Sequence, residues 1–293
     1  MKIISIAIAL ILSVSASAFA DKTVMVYRYW DWGKTPKRDD YEVEVLRTAL
    51  EKTRNDYGDF AIVRHLESFS TSRARREVNR GELLNIQPGP WRPLEINANQ
   101  LLERSIRINV PILNGLLGYR QLLIRKEDVE KFRTITQEPQ LKALVAGQAH
   151  GWVDVDIYKH NGYKVDDNGN TDSLMSMLAN KRFDYFPMSI AEIESILAAN
   201  PDYSTKFTTA PGIIIYYPFP IIFYVSIHQP LLAERVDKGL RIMERDGSLT
   251  ALFNKYYSQE INAIKKQKPH CFVLENPLLP DELKQKNPTL LEN

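Results

Sequence analysis

The chain has 293 residues, a length that fits one large domain or two smaller ones. Its 38 Lys and Arg against 36 Asp and Glu leave a formal net charge of +2, so electrostatics makes no case for nucleic acid or an anionic membrane as partner. One cysteine, Cys271, rules out an internal disulfide, and 44% hydrophobic residues supply ample core.

In chain order, Lys2 precedes an apolar run from Ile3 to Val14, and Ala18-Phe19-Ala20 offers a small-x-small cleavage site. The run is shorter than the roughly 20 residues that span a bilayer. The expectation is therefore a signal peptide cleaved after Ala20 and an exported protein, with no cysteine at the junction for lipid attachment. Thr23 to Tyr27 reads as a strand, and the aromatic, basic loop RYWDWGKTPKR follows it. Tyr41, Val45, Leu46, Ala49 and Leu50 mark a helix, FAIVRHL a second strand, and Ser70 to Arg80 a helix carrying Arg73, Arg75 and Arg76. QPGPWRP is loop by composition. RSIRINVPI and GYRQLLIRKE are closely spaced strands, after which the alternation restarts. It gives a strand near Lys142 to Ala146, the loop GQAHGW, a helix from Val153 to Asn161 and a short strand at Tyr163 to Val165. A helix from Asp172 to Asn180 and the strand RFDYFPM follow, and Ser189 with Glu192 spells a capping box. Two α/β units are the reading.

Gly212 to Ile227 concentrates β-branched and aromatic residues, but Pro218 and Pro220 forbid one central strand, so two strands with a crossing between them are expected. Leu232, Val236, Gly239, Leu240 and Met243 then recur at helical spacing, as do Leu249, Leu252, Phe253 and Tyr256 beyond Asp246-Gly247-Ser248. Gly247 ends the first helix in the left-handed conformation, and the Ser248 hydroxyl is the expected cap of the second. This pair closes the first unit after the chain has left it, built the second, and returned. Lys265 to Asn293 is proline-rich and polar, a tail expected to lie along the surface.

Four stretches match a known family in order: DYEVEVLRTALEKT, LLERSIRINVPIL, LANKRFDYFPMSIAEI, and YYPFPIIFYVSI through LLAERVDKGLRIMERDGSLTALFNKYY. They resemble the extracytoplasmic solute-binding proteins of amino-acid transporters, family 3. The resemblance spans about residues 40 to 257 and is most specific at the closing helices. It implies an α/β, two-lobed periplasmic binding protein fold of type II with a discontinuous first lobe. The boundaries expected are signal peptide 1–20, lobe 1 at 21–112 and again at 212–262, lobe 2 at 113–211, and a tail at 263–293. It also implies hinge closure on a ligand held between the lobes.

In that family an arginine after a glutamate in the hinge-leading strand grips the ligand carboxylate. The matching residue here is Arg104, and a guanidinium suits the role as a planar, permanently charged fork. The family's acid for the ligand amino group falls at Ser189, which is neutral and has a second reading as a helix cap; Glu192 substitutes for it only if the local turn differs. The loop AGQAHGW offers Gln148, His150 and Trp152 to the cleft. Tyr29, Trp30 and Trp32 follow the first strand, where ligands sit in open α/β sheets, and Trp91 is a further aromatic candidate. Arg120, by the second hinge crossing, reads as a ligand contact or a hinge salt bridge.

The five histidines are dispersed and none has zinc-site spacing, so no metal or other cofactor is expected. No G-x-S-x-G, P-loop or dinucleotide fingerprint occurs. The leading reading is a periplasmic, monomeric, non-enzymatic protein that captures a small polar, carboxylate-bearing solute for an ABC permease or a membrane sensor. A regulatory protein with an altered cleft is the alternative. A dehydratase using Glu192, Asp184 or Asp154 is the least favoured reading.

Overall fold

The computed structural model describes residues 24–291 except 68, 94–95, 98–99, 102–104, 199 and 285–287, so the expected signal peptide and Arg104 lie outside the described residues. In chain order the elements that build the site are β1 Met25–Trp30, α1 Pro36–Lys52, β2 Phe60–His65, α2 Thr71–Arg80, β3 Ile86–Pro90 and β4 Ser105–Ile108. After a crossing come β5 Tyr119–Arg125, β6 Val145–Ala149, α3 Val153–His160, β7 Lys164–Gly169, α4 Leu174–Ala179, β8 Phe186–Ser189 and β9 Phe207–Tyr216. The chain ends with β10 Ile221–Ser226, α5 Pro230–Arg245, α6 Ser248–Gln267 and β11 His270–Val273.

Lobe 1 is a sheet of order β2-β1-β3-β10-β4, parallel from β2 to β3 and antiparallel on both sides of β10. Lobe 2 is a sheet of order β8-β5-β9-β11, and the parallel pair β6-β7 leans on it through a bridge between Ala146 and Tyr185. One buried apolar cluster runs through both lobes by way of Ile112, Leu116, Tyr217 and Phe219 in the crossing segments. The two crossings touch backbone to backbone, with the Tyr217 N–H donating to the Gly118 carbonyl at 3.3 Å. A Cβ on Gly118 would lie 2.0 Å from the Tyr217 oxygen, so only glycine lets them approach.

The returning helices pack on lobe 1 as expected. Gly239 sets α5 against α1: a Cβ there would fall 2.2 Å from the Ala49 carbonyl oxygen. Arg235, fully buried, donates to the Leu50, Gly58 and Asp59 carbonyls and to the Thr53 hydroxyl, tying α5 to the end of α1 and the turn before β2. Gly247 takes φ 78°, but the Asp246 carboxylate, not the Ser248 hydroxyl, accepts the first amide of α6, at 3.0 Å from Ser248 N.

Three boundaries differ from the sequence reading. Pro211-Gly212 does not separate the lobes: Gly212, at φ 71°, sits in an irregularity where the β9 register shifts between Thr209 and Ile214. The strand therefore stays in the lobe 2 sheet to Tyr216, so lobe 2 runs past the expected boundary at 211 and the chain recrosses at residues 217–220, where Pro218 and Pro220 separate the two strands. The closing helix runs on to Gln267, past the expected end of lobe 1 at 262. The tail is also more than a surface strap, because β11 pairs parallel with β9 and covers an edge that would otherwise present unpaired amides. Among the described residues no helix is long and apolar enough to cross a membrane.

Candidate functional site

A cavity of about 110 Å³ lies between the lobes, lined from lobe 1 by Trp30, Trp32, Arg38, Glu42, Pro88, Gly89, Pro90 and Arg92, and from lobe 2 by Arg120, Trp152, Asp154 and Glu192. Phe219 in the return crossing forms part of its wall. Each element delivers its side chain for a local reason. The residues of β1 alternate faces, so Tyr29 turns into the lobe 1 core while Trp30 faces the cleft beside Ala74 and Val78 of α2. Arg38 and Glu42 lie four residues apart on α1 and therefore share a face, with Arg38 Nε donating to Glu42 Oε1 at 2.8 Å. Asp154 occupies the first turn of α3, where a carboxylate complements the helix dipole.

The anticipated capping box does not form. The helix after β8 begins only at Ile193, and the Glu192 amide donates to the Ser189 carbonyl at 2.9 Å in a turn. That turn frees the Glu192 side chain for the cavity. Its carboxylate accepts from Arg38 Nη1 at 2.7 Å across the lobes and lies 3.9 Å from Arg120 Nη1. Arg120 in turn meets Asp154 at 2.8 Å, stands over the Tyr217 and Phe219 rings, and shares Asp154 with the Tyr217 hydroxyl, which donates to it. The cleft thus holds one network, Glu42–Arg38–Glu192–Arg120–Asp154–Tyr217.

The titration shifts follow from this arrangement. Burial opposes the Arg38 charge, but Glu42 and Glu192 outweigh it and its pKa is raised; Arg120 is raised in the same way, by Asp154 first, with Tyr217 and then Glu192 adding. Burial pushes Glu42 up against the counter-pull of Arg38, and burial drives the Tyr217 hydroxyl well above its ordinary value. Beside the site, Asp39 is pushed up to about 8, chiefly by burial and then by Glu42. These are the marks of charges removed from water and matched to one another.

Of the residues singled out by sequence, Trp30, Arg120 and Trp152 line the cavity, with Trp32 beside them. Trp152 also stacks on Phe186. Tyr29 is fully buried and reaches the network only through its hydroxyl, 3.3 Å from Glu42 Oε2. Ser189 is fully buried and accepts from the Ala191 amide, and Gln148 is fully buried outside the cavity wall. His150 is exposed and lines a second, outer chamber, while Trp91 lies under the Arg107 guanidinium away from the cavity. Asp184 is at the far side of lobe 2; burial raises its pKa, but Lys131 and the Val145 amide hold it below the ordinary range. Arg38 and Glu42 escaped the sequence reading. The signal was present in an Arg and a Glu four apart at the head of a helix that follows an aromatic loop. Among the described residues no group of three or more metal-ligating side chains occurs.

No family model and no curated protein matches the sequence. Solved structures do match its shape. An ancestral arginine-binding protein bound to arginine is 15% identical, with a TM-score of 0.52 over 79% of this chain and 98% of its own. A histidine kinase sensor domain with similarity to periplasmic binding proteins is 15% identical, with a TM-score of 0.54 over 80% and 96%. A periplasmic binding protein of Salmonella typhimurium described as highly specific for arginine is 12% identical, with a TM-score of 0.52 over 80% and 100%. Likeness at these identities establishes the fold: a two-lobed periplasmic binding architecture of type II with a discontinuous first lobe, as the sequence resemblance implied.

Proposed function

We propose that this chain is an exported solute-binding protein that captures a small zwitterionic, amino-acid-like solute between its lobes and presents it to a permease or a membrane sensor. The observation that carries the reading is the pairing of guanidinium and carboxylate across the cleft, Arg38 to Glu192 at 2.7 Å, inside aromatic walls. A zwitterion can replace that bond with two of the same kind. Its carboxylate meets Arg38 or Arg120, and its ammonium meets Glu192, Asp154 or Glu42. In this reading Glu192 takes the place of the acid missing at Ser189, and Trp30, Trp32, Trp152 and Phe219 sort the side chain. The structural neighbours described as arginine-binding support an amino-acid-like ligand, and the sensor-domain neighbour supports presentation as well as import.

A second reading has an observation of its own: the cleft charges already satisfy one another, as they would in a regulatory protein whose cleft no longer takes a solute. A thermal-shift screen of residues 21–293 against amino acids, amines and carboxylates separates the two. A bound solute at a hundredfold excess over its dissociation constant adds about 2.7 kcal/mol of stability. The proposal expects a zwitterionic hit that Glu192→Gln weakens. A silent screen would move the reading to the regulatory protein.

A further inference from the structure

After α6 the chain leaves lobe 1 once more and runs across the rear of the hinge. β11 first joins lobe 2 as the partner of β9, and the Leu274 amide extends that pairing to the Tyr216 carbonyl at 2.7 Å. Asn161, just after α3, holds Glu275 by both backbone groups: its Oδ1 accepts from the Glu275 amide at 2.9 Å and its Nδ2 donates to the Glu275 carbonyl at 2.7 Å. Asn276, 1% exposed, then donates to the Pro218 carbonyl of the return crossing at 2.9 Å and accepts from the Leu278 amide at 3.0 Å. Farther on, the 3₁₀ turn Thr289–Leu291 packs on α6 of lobe 1, while the Leu290 amide donates to the Tyr119 hydroxyl of β5 in lobe 2 at 2.9 Å. Leu290 and Leu291 both pack against the apolar cluster that runs through the two lobes. The tail is therefore anchored in turn to lobe 2, to a crossing, and to lobe 1.

These anchors hold it on the side of the hinge away from the cleft. The two crossings turn Leu117, Phe219 and Ile221 to the inner cavity, and Asn114, Gly115, Pro218 and Pro220 to a rear groove of about 470 Å³, which Phe219 also reaches. The groove has Leu249 and Phe253 of α6 on its lobe 1 side and Tyr216, at the end of β9, on its lobe 2 side; Glu282 and Leu283 of the tail complete it. Lobes that part at the cleft pivot on the crossings, so the walls behind the crossings have to approach. The tail stands between those walls, and packed groups transmit such a displacement instead of absorbing it.

We infer that the tail beyond β11 is a hinge stop: it occupies the space that opening would close, and so sets how far the lobes part once the Arg38–Glu192 pair is released. The inference concerns the motion and not the ligand, and it holds whether or not the cleft takes a solute. It makes opening and closing a short movement between two defined limits, the ion pair across the cleft and the tail behind the hinge.

The test is the distance between spin labels on the two lobes, measured by pulsed electron spin resonance on residues 21–293 with no ligand added. Glu82→Cys in lobe 1 and Ala179→Cys in lobe 2, both at exposed positions, carry the labels, and Cys271→Ser removes the native thiol. Each chain is measured with Glu192 intact and with Glu192→Gln, which releases the interlobe pair. In the Glu192→Gln background, ending the chain after Pro280 should lengthen the label distance by a further shift of about 2 Å or more, the scale of a hinge rearrangement. Leu290→Asn/Leu291→Asn, which loosens the tail at full length, should lengthen it in the same direction. Asp281→Asn, at an exposed carboxylate outside the groove wall, should leave it unchanged. The shortened chain keeps β11 and Asn276, and circular-dichroism melts report whether it folds; if it does not, the full-length Leu290→Asn/Leu291→Asn protein decides. Label distances that are the same or shorter once the tail is removed or loosened overturn the stop, and they leave the reading of the cleft as it stands.

Discussion

Removing either end of the interlobe ion pair should have unequal effects, because the two ends have different reserves. In Glu192→Gln, Arg38 keeps Glu42 at 2.8 Å and Arg120 keeps Asp154 at 2.8 Å, so neither guanidinium is stranded. Among the described residues, in Arg38→Met, Glu192 retains Arg120 at 3.9 Å and Glu42 retains the Tyr29 hydroxyl at 3.3 Å. The gross attraction at 2.7 Å is on the order of 6 kcal/mol at an effective dielectric constant of about 20, most of it offset by the desolvation of both ions. Stranding a buried charge costs about 3–5 kcal/mol, so Arg38→Met should lose about that much and Glu192→Gln about 1–2 kcal/mol. Urea unfolding followed by circular dichroism measures the difference. Small-angle scattering should also show the ligand-free Glu192→Gln protein expanding as the lobes part, since the other interlobe ion pair among the described residues, Lys34 to Asp172, is exposed and contributes little. If Glu192→Gln is as destabilising as Arg38→Met, or if the radius of gyration does not change, the network is not the latch described here.

Three further outcomes follow from the same geometry. Gly239→Ala should destabilise by at least 1–3 kcal/mol in urea unfolding, because the Ala49 carbonyl 2.2 Å from the new Cβ is backbone and cannot step aside without parting α1 from α5. Arg235→Met should cost about 3 kcal/mol or more, since it leaves the Leu50, Gly58 and Asp59 carbonyls facing an apolar chain. Asp39, raised to about 8 in the folded state, binds a proton there that the unfolded chain releases near pH 4, so its contribution falls as pH rises between those values, by up to about 1.4 kcal/mol per unit. Asp39→Asn keeps an acceptor for the Gly33 amide and should therefore gain on the parent protein from pH 5 to pH 8; parallel melting curves across that range check it.

The sequence carried the fold where pattern and punctuation agreed. The helical spacing of Leu232, Val236, Leu240 and Met243, broken at Gly247, specified the returning pair because both periodicity and stop signal are local. It failed where the deciding partner was distant. The lobe boundary expected at 211/212 falls inside β9, which stays in lobe 2 because β5 holds it on one side and β11 on the other. Within the site, the aromatic residues after β1 were legible from their place at a strand end. Arg38 and Glu42 were not, because each has an ordinary local reading as a helix-surface charge, and Glu192 was reached only as a conditional substitute for the acid missing at Ser189. Only the approach of the two lobes makes them one network. Ser189 shows the same limit from the other side: its residue type suited a cap, but full burial in β8 left the turn, and the cleft, to Glu192.

A cleft whose charges are already paired sets a particular condition on any solute. The solute's charged head gains only the difference between its own bonds to Arg38, Arg120 and the acids and the Arg38–Glu192 bond that it displaces. A ligand shifts a conformational equilibrium only by its differential affinity for the two states, so ionic contacts that merely replace others contribute little to closure. The surplus has to come from apolar contact with the aromatic side chains that line the cavity: Trp30, Trp32 and Trp152. In such a site the paired network fixes where the head group sits, and the rest of the solute determines whether binding is worth more than the latch it replaces.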